Sequence, residues 1–277
     1  MITARPSSPS ATKVQAPRYD GGVEYWDTRH VEDAEDRRKF DWLFEYAELR
    51  PLLLRYVNAT ASVLQLGCGN SRLALEWCRD GHCGTLQNVD FSPSVVAQMQ
   101  AEIPPESRYA NLSYTVADAR VLLDFPSDSF DAVLDKATFD CMSCNARSAP
   151  DDSTSDLESM LLSAFRVLRP RGVYILVTCG DPASRLPWLE DEPGLDWDVS
   201  ASYMRIRSEE ATNANFRAEG EARCGRGVGE CAVSDAVLVT GNDRWAEEFS
   251  AVSEEAHTFV YICRKRARAA GEELREI

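Results

Sequence analysis

No apolar run in the 277 residues approaches the roughly 18 to 20 needed to cross a bilayer, and the longest, such as Val173 to Val177, is strand-sized. A membrane is therefore not an expected partner. Basic residues are also short, 30 Lys and Arg against 45 Asp and Glu, so the clustered positive charge that a phosphate backbone rewards is missing and nucleic acid is not expected either. The net charge of −15 favours encounter with a basic partner, although acidity also serves solubility alone. Nine cysteines without a regular framework spacing read as reduced thiols rather than disulfides. Cys141 and Cys144 make the one suggestive pair, but a four-ligand zinc site needs a second pair, and Cys224 and Cys231 have no histidine nearby. No metal is expected.

Acid is absent from the first 18 residues, whose Ser, Pro, Ala and Thr content reads as a disordered leader. Arg5, Lys13 and Arg18 give it a faint likeness to an organellar presequence, so the expected location is cytoplasmic with mitochondrial import as the alternative.

What is present is an alternation of short β-rich runs with helical patterns, the mark of an α/β doubly wound, mostly parallel sheet of seven strands with helices on both faces. The runs are Ser62 to Leu66, Thr85 to Val89, Leu112 to Val116, Phe130 to Leu134 and Val173 to Thr178, with final strands expected near Ala236 to Thr240 and Thr258 to Cys263. Asn70 or Ser71 caps a helix through Cys78, and Ser92 with Pro93 opens one through Ala101. Ser153 to Ser155 precede an amphipathic helix over Leu157 to Leu168, stopped by Pro170 and Gly172. Tyr25 to Tyr56 reads as one or two helices, and Arg205 to Glu230 as a polar, Gly-rich insertion. The organisation is thus one domain over residues 19–263 with a charged tail from Arg264, read as a frayed helix.

The chemistry begins at Leu66-Gly67-Cys68-Gly69-Asn70-Ser71, a Gly-x-Gly turn between a buried strand and a helix, where backbone can approach a ligand without Cβ interference. A dinucleotide site would want a third glycine at position 72, which is Arg, so NAD and FAD are disfavoured. Alone, such a turn is as often structural as functional. Asp90 ends the second strand, where a carboxylate can take both hydroxyls of a ribose, and Asp118 ends the third, where an acceptor can read an adenine amino group. Either aspartate alone would read as a cap, but together with the glycine loop they outline a nucleoside cradle. Leu134-Asp135-Lys136 ends the fourth strand, where a doubly wound enzyme presents groups to its reacting centre, although Asp131 and Asp135 read equally well as solvated strand-end residues; Asp140 follows shortly after.

These motifs, with Glu24-Tyr25-Trp26-Asp27-x-Arg29, Phe40-Asp41-Trp42, Val89-Asp90-Phe91-Ser92 and Asp128-Ser129-Phe130-Asp131, resemble one class I methyltransferase family dependent on S-adenosylmethionine (SAM). It includes the lysine methyltransferases of elongation factor 1-alpha, of the methyltransferase-like 13 and endothelin-converting-enzyme-2-linked type. The resemblance runs from about Val23 to Val177. It implies SAM as cofactor, with Gly67 against the methionine moiety, Asp90 on the ribose, Phe91 packed on the adenine and Asp118 and Ala119 contacting it. Trp26, His30 and Lys136 would close the site from the reacting side. His30 and Phe40 stand where the family tends to have Tyr, and Ala137 replaces a common Gly.

The function implied is methyl transfer to a lysine of a basic protein similar to elongation factor 1-alpha. Asp135 is then the expected carboxylate that holds the amine in line, with Asp140 in reserve. A small-molecule methyltransferase and a non-catalytic SAM-binding module remain the alternatives.

Overall fold

The computed structural model describes residues 22–35, 41–82, 84–148, 150–206, 231–233, 237–238 and 258–267. The leader, Phe40 and the tail beyond residue 267 lie outside the described residues; of the expected insertion over Arg205 to Glu230, Arg205 and Ile206 end a strand and the rest lies outside them too.

Five short strands, β1 (Val63–Leu66), β2 (Leu86–Asp90), β3 (Leu112–Val116), β4 (Phe130–Lys136) and β5 (Leu168–Thr178), run parallel in the order β3-β2-β1-β4-β5. β9 (Thr258–Lys265) enters antiparallel beside β5, and β6 (Trp197–Ile206) lies antiparallel on its far side. Six of these seven stand where a strand was expected; β6 does not. Two small strands, β7 (Cys231–Val233) and β8 (Val237–Leu238), both pair with β6 and bring the sheet to nine.

Three expectations shift. Trp197–Ile206 is a core strand where none was expected, and its alternation buries Trp197, Val199 and Ala201 on one face. Of the run near Ala236 to Thr240, Val237 and Leu238 form β8 beside β6, and the others lie outside the described residues. The chain at Arg264 is not a frayed helix: β9 continues through Lys265, whose buried ammonium donates to Asp128 at 3.0 Å and to the Phe165 and Leu168 carbonyls at 2.8 and 2.6 Å. A buried cation with three acceptors holds the strand end in place, which explains why a basic stretch remains structured.

Alternation on the strands builds two cores. On one face Val63, Leu134, Ile175 and Ile262 meet α2 (Tyr46–Tyr56), α3 (Leu73–Arg79) and α4 (Pro93–Ala101). On the other, Leu64, Val133, Tyr174 and Tyr261 meet α5 (Thr138–Ser148), α6 (Pro150–Val167) and α7 (Pro182–Glu190). The expected stripe of α6 is buried as read at Leu157, Met160, Leu161 and Ala164, while Phe165 is half-buried and Leu168 has already left the helix and begins β5. Ser92 caps α4 through Val95 N–H at 3.4 Å, with Pro93 behind it. At α3 the cap position falls on Arg72, and the Ser71 hydroxyl takes the Leu73 N–H at 3.1 Å. The remaining helix, α1 (Gly22–Glu35), covers the carboxyl ends of β1 and β2. Its Asp27 accepts from the Ser92 hydroxyl at 2.6 Å and the Ser94 N–H at 3.1 Å, fastening it to the start of α4.

Candidate functional site

The turn after β1 has two left-handed glycines, Gly67 at φ +53° and Gly69 at +50°. A Cβ on Gly67 would stand 2.2 Å from the Thr138 hydroxyl, so the residue is demanded twice, by φ and by the close approach of α5. Gly69 donates its N–H to Asp90 Oδ2 at 2.9 Å, and the other Asp90 oxygen takes the Ser92 N–H at 3.0 Å. Burial pushes the Asp90 carboxyl above the usual carboxylate range, against those N–H bonds and the nearby His30. The structure brings the glycine loop and Asp90 together as one unit.

His30 reaches down from α1 until its Cε1 lies 3.7 Å from where a Gly69 Cβ would be. The ring is buried, its Nδ1 has no hydrogen-bond partner, and burial holds its pKa below the ordinary value. A buried, unpartnered nitrogen above a glycine loop is what a site built to receive a polar ligand presents. Trp26 stands one turn earlier, its ring 6.0 Å from the His30 ring. Phe91 follows Asp90, half-buried.

Asp118 and Ala119 follow β3, both half-buried, with Ala119 packed on the second core. The Asp118 carboxylate is already engaged: Arg120 takes both its oxygens, at 3.0 and 2.6 Å, and grips Asp156 of α6 as well. Burial works to raise the Asp118 pKa, but these Arg120 bonds hold it below the ordinary range. Arg120 therefore fixes the loop that would carry the adenine contacts, a role invisible in the sequence.

Lys136 does not point freely into the site. Its buried ammonium donates to the Trp42 carbonyl at 2.8 Å and to Asp41 at 3.1 Å, and Asp41 also accepts from the Ser71 hydroxyl. Lys136 thus staples the segment before α2 to the end of β4 and to the glycine loop. Asp41 and Ser71, quoted only as motif members, are its partners.

The two candidate carboxylates are both committed. Asp135 is fully buried and turned toward the second core; Oδ1 takes the Thr138 and Phe139 N–H groups at 2.9 and 3.2 Å, and Oδ2 takes the Tyr174 hydroxyl at 2.9 Å. Burial pushes it up to about 7 despite these bonds. This is the geometry of a carboxylate capping α5 beneath the site, on the face opposite its neighbour Lys136. Asp140 accepts from Thr178 and from the buried Arg185, each at 2.5 Å, which ties α5 to the start of α7. Between β4 and α5, Ala137 takes φ +69°, a conformation in which a side chain is strained.

A family model described as a methyltransferase domain matches residues 58–247. The chain belongs to that family. Its cofactor is SAM, which the residues present fit: a glycine turn open to backbone contact, a buried acceptor at Asp90 and an unpartnered imidazole nitrogen above them. The EEF1A lysine methyltransferase 4 of Mus musculus is 36% identical over 170 residues, 59% of this chain and 63% of that protein. Its counterpart in Bos taurus is 33% identical over 186 residues, 64% and 69% of the two chains. The mitochondrial citrate synthase-lysine N-methyltransferase of Pongo abelii is 32% identical over 196 residues, 65% and 78%. The chain therefore spans a little under two thirds of the mouse relative. Among solved structures, the [4+2]-cyclase SpnF superposes at TM-score 0.53 with 13% identity, over 91% of this chain and 98% of that one. A cyclase on the same framework shows that the fold alone does not choose the reaction.

Proposed function

We propose that the protein transfers the methyl group of SAM to a lysine side chain of a basic protein in the cytoplasm. The observation that supports this most is on the acceptor side: Trp26 and Trp42 already hold a cation, the Arg29 guanidinium, at 5.6 and 5.7 Å from their ring centroids. The chain's acidity, −15 overall, suits a basic partner, and the relatives named above carry lysine methylation in their names.

SAM supplies an activated methyl group, so this chain's residues have to align an uncharged amine and exclude water. Asp90 and the Gly67–Gly69 turn hold the nucleoside end, α1 closes over it, and the aromatic pair borders the approach. An amine with a free pKa of about 10.4 must first lose a proton. With Asp135 and Asp140 both engaged in bonds to the protein's own groups, solvent is the proton acceptor in this reading.

The test is incubation with radiolabelled SAM and a lysate fractionated for basic proteins, followed by mass spectrometry of the labelled band. Label on a lysine is the expected result. Turnover of SAM with no labelled protein would transfer the reading to a small acceptor, and binding without turnover to a non-catalytic module.

A further inference from the structure

The end of the sheet opposite the cofactor cradle carries a cleft of about 360 Å³, open to solvent at the amino ends of β1, β4 and β5 and bounded by Tyr56 of α2 and Arg264 of β9. It lies roughly 20 Å from the cradle, the length of the seven-residue β4, so it belongs to neither the cofactor nor the reacting centre. Its volume falls at the lower end of the range for small-molecule sites. The bulge in β5 between Leu168 and Val173 shapes it. Arg171, in that bulge, is held at φ +69°, where a side chain is strained. Gly172 beside it is pinned, since a Cβ there would stand 2.8 Å from the Arg169 carbonyl oxygen and 3.1 Å from that of Asp131. A bulge that holds a non-glycine residue in the left-handed region is a device for aiming a side chain, and such strain gathers at ligand clamps. The charges in the cleft do not cancel. Arg169 pairs with Asp131 at 2.7 Å, and the other Asp131 oxygen takes the Ser62 N–H at 2.8 Å, so that carboxylate is satisfied. Arg264 donates to the Arg171 carbonyl at 3.2 Å, which sets these two residues side by side, and neither guanidinium meets a carboxylate among the described residues. Two unmatched cations thus stand together on a chain whose net charge is −15.

We propose that this cleft is a binding site for a small organic phosphate ester, whose phosphate is gripped by Arg171 and Arg264. Charge decides for phosphate over carboxylate. An ester phosphate carries about −1.5 to −2 and three acceptor oxygens, enough to answer both guanidinia at once, where a carboxylate would leave one unmatched. Guanidinium forks also meet phosphate oxygens in pairs. The cleft is larger than a bare phosphate ion fills, and Tyr56, Asn58 and Thr60 line it with an aromatic ring and polar groups for the organic body. The site is independent of which acceptor is methylated at the other end of the sheet.

The probe is phenyl phosphate titrated into the full chain with SAM present in excess, so that the cradle is filled, and followed by phosphorus NMR at about pH 8, where the ester is a dianion. Arg171→Gly removes the guanidinium and relieves the left-handed φ together, so it should melt no lower than the wild type and yet bind the probe about 10-fold more weakly. Arg264→Gln, at an exposed position on β9, should weaken binding to a similar degree and guards against misfolding of the first variant. Binding that is absent in the wild type, or undiminished in both variants, would overturn the proposal. Benzenesulfonate, a monoanion of the same shape, competes at equal ionic strength and should bind several-fold more weakly; equal binding would refute the match of two guanidinia to a dianion. Inorganic phosphate should also bind less tightly than the ester, and equal affinity would refute the organic body as part of the ligand.

Discussion

Asp135→Asn separates a structural carboxylate from a catalytic one. Asparagine is nearly isosteric with aspartate, keeps an oxygen for the Thr138 and Phe139 N–H groups and turns an amide toward the Tyr174 hydroxyl, so the substitution removes little except the ability to ionise. In the folded wild type the carboxyl is fully buried and pushed up to about 7, whereas in the unfolded chain it titrates near 3.9. Below pH 4 both states hold the proton and its stabilising contribution is complete. Between about pH 4 and 7 the folded state binds more protons than the unfolded one, so stability falls as pH rises and the contribution is lost on passing through 7. At about 1.4 kcal/mol per pH unit, the interval amounts to about 4 kcal/mol as an upper value. Urea unfolding of both proteins from pH 4.5 to 8 isolates this by subtraction, since every other group is shared. The variant should gain on the wild type across that range and should keep its methyl-transfer activity. A difference flat to within about 1 kcal/mol would refute the burial argument. Loss of turnover with SAM binding intact would return Asp135 to the chemistry.

Other outcomes follow from the same geometry. Ala137→Gly should stabilise by about 1 kcal/mol in thermal or urea unfolding, because the residue is held at φ +69°. Gly67→Ala should cost about 2 to 5 kcal/mol from the left-handed φ and the overlap with Thr138, and adding Thr138→Ala should recover part of the overlap but none of the φ cost. Asp90→Ala should weaken SAM binding at least tenfold by calorimetry, since both the ribose acceptor and the anchor of the Gly69 N–H are lost; equal affinity in both proteins would sink the cradle.

Much of this was legible because local chemistry and global fold agree. Ser92 with Pro93 announced α4, and the runs ending at Leu66, Val116 and Thr178 became strands at those boundaries. Trp197–Ile206 was legible too, in its strict alternation, but its polar half let it pass for a connector. The start of β5 was harder: Pro170 and Gly172 read as a helix stop, yet the strand begins at Leu168 and bulges opposite Phe130 and Ala132 before resuming at Val173. Site residues divided along a different line. Gly67 and Asp90 announce themselves because backbone geometry demands them. The fate of Asp135 depends on Tyr174, 39 positions away, and that of Lys136 on Asp41, 95 away; no short-range pattern carries such pairings.

The Asp27 contact with Ser92 and Ser94 has a kinetic corollary. Any displacement of α1 from the carboxyl ends of β1 and β2 has to break these bonds at the front of α4. The Ser94 amide, which donates to Asp27, reports on that contact: slower exchange there on adding SAM is the expected sign that cofactor holds α1 in place.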